Sequence, residues 1–364
     1  MKEPIINHSQ IKLSDIGAVQ NTLYPKGSLL MVTRSGILRR TLPLAILGEA
    51  ATVNQDIKTI CTPYTELNEY LYYYFSGREK EILEKFQKDG TTVESIDFEK
   101  FQEIEILLPP LQEQIRIIHQ LKYLFNVQSN IDSETSELKR LINDSKSKIL
   151  ELAMQGKLVP QDPTDEPAAE MLKRINPNAK ILTDFQQCRN LPEGWCHTTL
   201  KSIGKWQAGA TPSKLNPAYY GKGYPWLNTG DLNDGVISSI PREITELALK
   251  KTSVKLIPVG SILIAMYGAT IGKLGILSVE ATTNQACCAC TNCLINSKYL
   301  FNFLLYYRSK FIQLGGGGAQ PNISKEKIEN TGIIIPPLNE QKRIVAKIEE
   351  LYSCLDKIEA SLQS

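Results

Sequence analysis

The chain has little of what enzymes are usually built around. Its three histidines, His8, His119 and His197, stand far apart, with no spacing for a metal site or a nucleophile triad. No G-x-G-x-x-G loop and no Asn-Pro-Pro-Tyr-type methyltransferase motif occurs. GATIGK at 268–273 has three residues between its glycines where a phosphate loop needs four, and Leu274 follows Lys273 where Ser or Thr is needed. No apolar run approaches the ~18 residues of a membrane helix, and the opening MKEPIINHSQ has no apolar signal core. A cytoplasmic chain with free thiols and no membrane partner is the expectation. Neither sign of charge dominates: 41 Lys and Arg stand against 39 Asp and Glu. That balance excludes a histone-like or strongly acidic chain and leaves nucleic-acid binding to local charge. With 22% charged and 42% hydrophobic residues over 364 positions, the composition is that of a globular protein with room for two domains.

What is present is an internal repeat. PKGSLLMVTRSG at 25–36 resembles PVGSILIAMYG at 258–268, and AILGEAATVNQ at 45–55 matches GILSVEATTNQ at 275–285. NEYLYYYFSGRE at 68–79 answers SKYLFNFLLYYRS at 297–309, and LLPPLQEQIRIIHQL at 107–121 matches IIPPLNEQKRIVAKI at 334–348. Agreement in order over that length is a duplication, not shared composition. Copy two starts near LPEGWCHTTL at 191–200, whereas Met1 corresponds to about residue 234, so copy one is expected to lack the opening segment. Copy two ends at Ser364 without a counterpart of LKRLINDSKSKILELAMQGKLVP at 138–160.

Each copy reads as a mixed domain followed by a helix. The runs GSLLMVTRSG and GSILIAMYG, LPLAILG and KLGILSV, and IEILLPP and GIIIPP read as strands, each bounded by Gly or Pro. The Tyr/Phe/Leu stretches at 70–75 and 299–307 read as helices on that sheet. After Pro-Pro a long helix runs from about Leu111 to about Lys157, roughly 70 Å, with Gly156 and Pro160 as stop signals. Its apolar positions include Ile118, Leu121, Phe125, Leu138, Ile142 and Ile149. A second helix carries Val345, Ile348, Leu355 and Ile358 at the same spacing. The spacing is a coiled-coil seam, and the two helices are expected to bury each other's stripe, antiparallel. The fold class is α+β: two pseudo-symmetric mixed domains joined by two long antiparallel helices. The expected boundaries are 1–110 for domain one, 111–158 for the central helix, 159–190 for a linker with a short helix at 167–175, 191–336 for domain two and 337–364 for the distal helix.

Other constellations reduce to structure. The cluster CCACTNC, with Cys287, Cys288, Cys290 and Cys293, suggests zinc or iron–sulfur. Cys287 and Cys290 align with Ile57 and Ile60, however, so they read as inward strand positions and no metal is expected. Asp97, Glu103 and Glu105 lie near a strand like nuclease carboxylates, but copy two carries Ser324, Asn330 and Gly332 there. No catalytic residue is assigned.

Positive charge gathers in the mixed domains. Residues 195–275 hold nine Lys and Arg against four Asp and Glu, while residues 111–157 are nearly balanced at seven to six. Lys214 and Lys222 flank a loop rich in Gly, Thr, Ser and Asn, and are expected on phosphates; Gln207, Thr211, Ser213, Asn228 and Asp231 are expected near bases. Tyr267 and Lys273 follow the matched strand in copy two. In copy one Arg34, Ser35, Arg39 and Arg40 do so, with Lys26 in the turn before it.

GSILIAMYGATIGKLGILSVEATTNQAC, GGGGAQPNISKEKIENTGIIIPPLNEQKRIVAKIEEL and LELAMQGKLVPQDPTDEPAAEMLKRI closely resemble the specificity subunit of type I restriction–modification systems. The resemblance covers nearly the whole chain. It implies two target-recognition domains, each reading half of a split site in double-stranded DNA, and two helices acting as a ruler. It implies docking of two modification (methyltransferase) subunits, which bind S-adenosylmethionine, and of ATP-using restriction subunits, with no cofactor and no catalysis on this chain. A stand-alone DNA-binding coiled-coil scaffold and an inactive recombination donor are the other readings.

Overall fold

The structure, a computed structural model, describes residues 4–9, 11–14, 17, 20–88, 93–183, 191–316 and 322–362. The chain divides into two units, residues 1–134 and 135–364. The division falls inside the central helix, not at its start.

In unit 1, β1 (Ile5–Ile6), β2 (Leu29–Val32), β3 (Leu44–Leu47) and β4 (Ile57–Ile60) form one sheet in the order β1-β3-β2-β4. β1 runs parallel to β3, and β2 lies antiparallel to both β3 and β4. The turn before β2 depends on Gly27, whose φ is +86° and whose Cβ would lie 2.6 Å from the Thr65 methyl. Helix α1 (Thr65–Gly77) covers the sheet, followed by α2 (Glu79–Phe86), a short β5–β6 pair (Gln87–Lys88 with Ser95–Ile96) and α3 (Phe98–Phe101). Leu29, Met31, Phe75, Phe86 and Phe101 form the core with Ile118 of the central helix. The aromatic rings meet edge-on, the arrangement their quadrupoles favour.

Helix α4 (Leu111–Met154) ends as expected, just before Gly156 at φ +68°. Gly156 N–H donates to Ala153 O at 3.2 Å and Lys157 N–H to Leu152 O at 2.9 Å, which satisfies the terminal carbonyls. Next comes α5 (Ala168–Ile175), within the segment read as a linker. Ala168, Met171 and Leu172 are fully buried in the unit 2 core. The prolines around it punctuate a docked element, not a surface loop.

Unit 2 repeats the unit 1 sheet with one more strand. β7 (Cys196–Thr199), α6 (Leu200–Ile203), β8 (Lys205–Ala208), β9 (Tyr220–Leu227), β10 (Gly235–Ile237), β11 (Glu243–Ile244) and α7 (Glu246–Lys251) precede β12 (Ile262–Ala265), β13 (Leu274–Leu277), β14 (Thr282–Thr283) and β15 (Cys287–Thr291). Then follow α8 (Ser297–Gly315), α9 (Lys325–Glu329), β16 (Gly332–Ile335) and α10 (Leu338–Ser361). The five-stranded order β10-β13-β12-β15-β8 reproduces β1-β3-β2-β4 and adds β8. The registers correspond: Ile262 faces Cys290 as Leu29 faces Ile60.

All five residues of β15 are buried because apolar side chains cover both faces of this sheet. Cys288 and Cys290 face the larger core and Cys287 the smaller, so Cys287 and Cys290 point to opposite faces, as a three-residue separation on a strand requires. Burial pushes the Cys288 thiol up to about 12 and Cys287 higher still, so both stay protonated. Among the described residues no group of three or more His, Cys, Asp or Glu is placed to hold a metal. No described helix is long and apolar enough to cross a membrane.

The helix stripe divides between partners. In unit 2, α4 and α10 lie antiparallel: Lys146 Nζ contacts Asp356 at 2.7 Å and Tyr352 Oη donates to Lys146 O at 3.0 Å, while Gln161, beyond the helix end, reaches Glu340. Ile142, Val345 and Ile348 are buried, Leu138, Ile149 and Leu355 are half-buried, and Ile358 is exposed. In unit 1, Ile118 belongs to the domain core, Leu121 is half-buried, and Phe125 is exposed with its ring stacked on Tyr73 of α1 at 5.9 Å. Ile118 and Phe125 thus pack with the mixed domain of unit 1. Apolar spacing specifies which face is covered, not what covers it.

Candidate nucleic-acid interface

The sheets present one polar end each. In unit 2 the end of β12, the start of β13, the start of β15 and the end of β8 all lie on the same side, since β12 is antiparallel to β13 and β15, and β15 to β8. Thr211, Tyr267, Lys273 and Gln285 extend from these termini. Gly209 allows the β8 end to approach closely, because a Cβ there would sit 2.2 Å from Asn284 O. Ala210 N–H donates to Thr283 O at 2.9 Å, and the Thr211 hydroxyl donates to Gln285 Oε1. Tyr267, 40% exposed, joins Asn322 through a backbone bridge.

A second polar group sits beside this end. Asn284 Nδ2 lies 2.8 Å from the Asn228 amide, and Asp231 Oδ2 accepts the Asn228 N–H at 2.8 Å. Arg242 Nη2 donates to both Asp231 oxygens at 2.6 and 2.7 Å. Asp231 therefore positions Asn228 and Arg242, and its acceptors are largely used. Gln207 stands inside the β8 ladder opposite Ala289 and is half-buried, a sheet position more than a loop position. Ser213 accepts the Leu215 N–H at 3.4 Å, shaping its turn. Lys214 is exposed in that loop and Lys222 is exposed on β9. Arg242, Asn284 and Gln285 were not singled out from sequence; the signal for the last two is the Asn-Gln pair, which recurs at Asn54 and Gln55.

In unit 1 the corresponding end carries Arg34 and Arg40, both exposed. Two expected site residues carry contacts within the fold. Arg39 pairs with Glu94, a buried carboxylate held below its usual range first by that hydrogen bond. Ser35 Oγ accepts the Ile37 N–H and caps the turn. Lys26 lies in the turn before β2 and Arg34 beyond its other end, so the structure places Lys26 at the opposite end of the strand. Arg39→Ala is expected to lower the melting temperature of unit 1 as well as its net charge. Arg34→Ala with Arg40→Ala is the cleaner test of DNA contact, read as weaker binding with an unchanged melting curve. Asp97, the nuclease-like carboxylate, caps α3 and pairs with Lys88 at 2.9 Å.

Two copies of one mixed domain, with an antiparallel helix pair in the second unit, define a tandem-repeat α+β protein. The chain belongs to the family described as the Type I restriction modification DNA specificity domain, which it matches over residues 2–140 and again over 192–364. It is 30% identical over 207 residues to the type I restriction enzyme EcoR124I/EcoR124II specificity subunit of Escherichia coli, covering 53% of this chain and 50% of that protein. It is 23% identical over 334 residues to the MjaIX specificity subunit of Methanocaldococcus jannaschii, covering 91% and 72%. Its fold is similar to a chain solved in work on complex assembly and conformational transition of the type I R-M system, with a TM-score of 0.61, 19% identity, and 94% and 80% coverage. The HsdS subunit from Thermoanaerobacter tengcongensis aligns with a TM-score of 0.50 at 19% identity, covering 93% and 78%.

Proposed function

We propose that this protein reads a two-part DNA site, one part per unit, as the non-catalytic specificity subunit of a type I restriction–modification complex. The carrying observation is the polar sheet end built on the same strands in both repeats, within a chain of the DNA specificity family. Arg34 and Arg40 in unit 1, and Lys214, Lys222, Lys273 and Arg242 in unit 2, supply phosphate-binding charge. Thr211, Asn228, Asn284, Gln285 and Tyr267 supply groups for base edges. The polar side chains satisfy one another and the buried thiols stay protonated, which suits recognition more than bond cleavage. Helices α4 and α10 dock two modification subunits, which hold S-adenosylmethionine, and the ATP-using restriction subunits, in the cytoplasm.

Co-expression with a modification subunit in a methylation-free host, followed by sequencing of methylated adenines, tests this. Two short half-sites at one fixed spacing are expected; methylation without a motif would sink the reading. Ile142→Asp places a charge at a buried position of the helix. It is expected to abolish co-purification of the modification subunits while unit 1 stays folded, and full retention of the partners would count against helix docking.

A further inference from the structure

The loop that follows β2 in unit 1, and β12 in unit 2, leaves its sheet in the same way. Thr33 O accepts the Ile96 N–H and Met266 O accepts the Ile323 N–H, both at 2.8 Å. Arg34 and Tyr267, next in the chain, each make a backbone bridge, to Ser95 and to Asn322. The necks match too: Val32 N–H donates to Pro43 O at 3.0 Å, and Ala265 N–H to Lys273 O at 2.9 Å. Between them each loop makes one turn of 3-10 helix, Gly36–Arg39 or Gly268–Thr270. On the return arm one residue, Leu42 or Gly272, is held by a side chain.

That side chain comes from the same place in both repeats. Glu79, at the start of α2, accepts the Leu42 N–H on Oε1 at 2.6 Å. Arg308, on α8, donates from Nε to Gly272 O at 2.9 Å. Leu42 and Gly272 each stand two residues before the next strand, β3 or β13. Glu79 and Arg308 align in the duplicated stretch, NEYLYYYFSGRE against SKYLFNFLLYYR. Arg308 has a second hold: Nη2 donates to Asp234 Oδ1 at 2.5 Å, and the same oxygen accepts the Leu274 N–H at 2.9 Å. Asp234 stands just before β10 at φ +59°, a conformation Asp tolerates. Gly272, at φ +78°, leaves room for the arginine stem, since a Cβ there would lie 2.9 Å from Arg308 Cγ. The two contacts have opposite polarity. A carboxylate and a guanidinium cannot share a role based on charge, such as meeting a phosphate. What they share is the part of the loop they hold.

We propose that Glu79 and Arg308 are positioning residues for DNA reading. Each holds the return arm of its loop, so that Arg34 and Arg40 in unit 1, or Tyr267 and Lys273 in unit 2, meet the duplex in one geometry. The inference rests on the sheet ends being the DNA contact. Groups that recognise a ligand must be held to roughly 0.5 Å, and a loop stitched only at its start and neck swings on its free side. Arginine works here through its planar fork, which lysine does not reproduce. The Glu79 contact needs only an acceptor oxygen, which glutamine retains. Arg308→Lys therefore releases the unit 2 loop although the charge is kept. Glu79→Gln holds the unit 1 loop although the charge is lost. A role in net charge predicts the reverse of both.

The test has one arm without DNA and one with it, both on the full 364-residue chain. In the free chain, amide exchange at residues 267–273 is expected to quicken by about ten-fold in Arg308→Lys. Residues 34–42 should respond likewise to Glu79→Ala and not to Glu79→Gln. In co-expression with the modification subunit, Arg308→Lys should lower discrimination in the unit 2 half-site by about ten-fold, with the salt slope unchanged. The unit 1 half-site then stays intact and reports a folded chain. Glu79→Ala should relax the unit 1 half-site alone, and Glu79→Gln should keep the parent motif. If Arg308→Lys melts below the parent, Asp234→Asn takes its place. It keeps an acceptor for the Leu274 N–H and removes the charge facing Arg308, so the same half-site relaxes more weakly. Unchanged loop exchange, a parent motif kept by both Arg308→Lys and Glu79→Ala, or equal losses in Glu79→Gln and Glu79→Ala would overturn the proposal and leave DNA reading standing. A parent chain that directs methylation without a motif would defeat the DNA reading itself, and the proposal with it.

Discussion

Trp195→Ala is expected to lower the unfolding free energy of unit 2 by about 3–5 kcal/mol. Trp195 is buried against the largest core, and its indole is a donor to the buried Glu340 carboxylate. Truncation therefore opens a cavity and weakens the solvation of a buried acid at once. Chemical denaturation followed by a probe in each unit should show the unit 2 transition moving and the unit 1 transition staying. Trp195→Phe separates the two effects, since it keeps most of the packing and removes the donor, at about 1–3 kcal/mol. Burial raises the Glu340 pKa above its ordinary 4.5, against the hydrogen bonds from Gln161 and Trp195 that lower it. A raised folded-state pKa gives stability that is full below 4.5 and lost as pH climbs through the folded value. Without the indole that value rises further, so the gap between Trp195→Phe and the parent should widen as pH increases from about 4.5. A gap that is flat with pH would show that Glu340 does not depend on the indole.

Such packing was legible only in part from the residue order. The duplicated strands could be read because β2 and β12 carry the same turn, the same apolar run and the same register against their neighbours. Local signals of this kind survive in sequence: a glycine at positive φ, a proline before it, an apolar run after it. Partnership does not survive in the same way. IEILLPP and GIIIPP look equivalent as strings, but a strand exists only with a neighbour, and β7 stands beside the second alone. The 168–175 helix reads as a linker because its prolines are visible and its burial is not; Ala168, Met171 and Leu172 gain their meaning from the unit 2 core.

The site shows the same limit in its charges. Arg39 and Arg40 are adjacent and alike in sequence, and only the fold brings Glu94, 55 residues away, to one of them. Asp231 reads as a base contact, and only the fold shows Arg242 on its two oxygens. Lys26 and Arg34 are eight positions apart, close as a string, but they fall at opposite ends of β2. Conversely, Gln285 was legible in principle: Asn-Gln stands at the same repeat position in both copies, and in unit 2 it meets Thr211 at the sheet end.

That arrangement separates charge from readout in a way DNA binding can measure. Lys214→Ala with Lys222→Ala removes two exposed cations, one in a loop and one on β9. If each neutralises one phosphate, the slope of log K against log salt should become shallower by about 2, with the preferred sequence unchanged. Gln285→Ala should do the opposite. The side chain is exposed at the sheet end, so the salt slope should hold, while discrimination at one base pair falls by about 1–3 kcal/mol. In the reconstituted methylation assay this appears as one relaxed position in the unit 2 half-site, with the unit 1 half-site intact. Thr211→Val, which removes the hydroxyl bonded to Gln285, should reproduce the relaxation more weakly, because the amide then loses its orientation but not its groups. An unchanged motif in both Gln285→Ala and Thr211→Val, together with an unchanged salt slope in the double lysine variant, would move the DNA contact away from this end of the sheet.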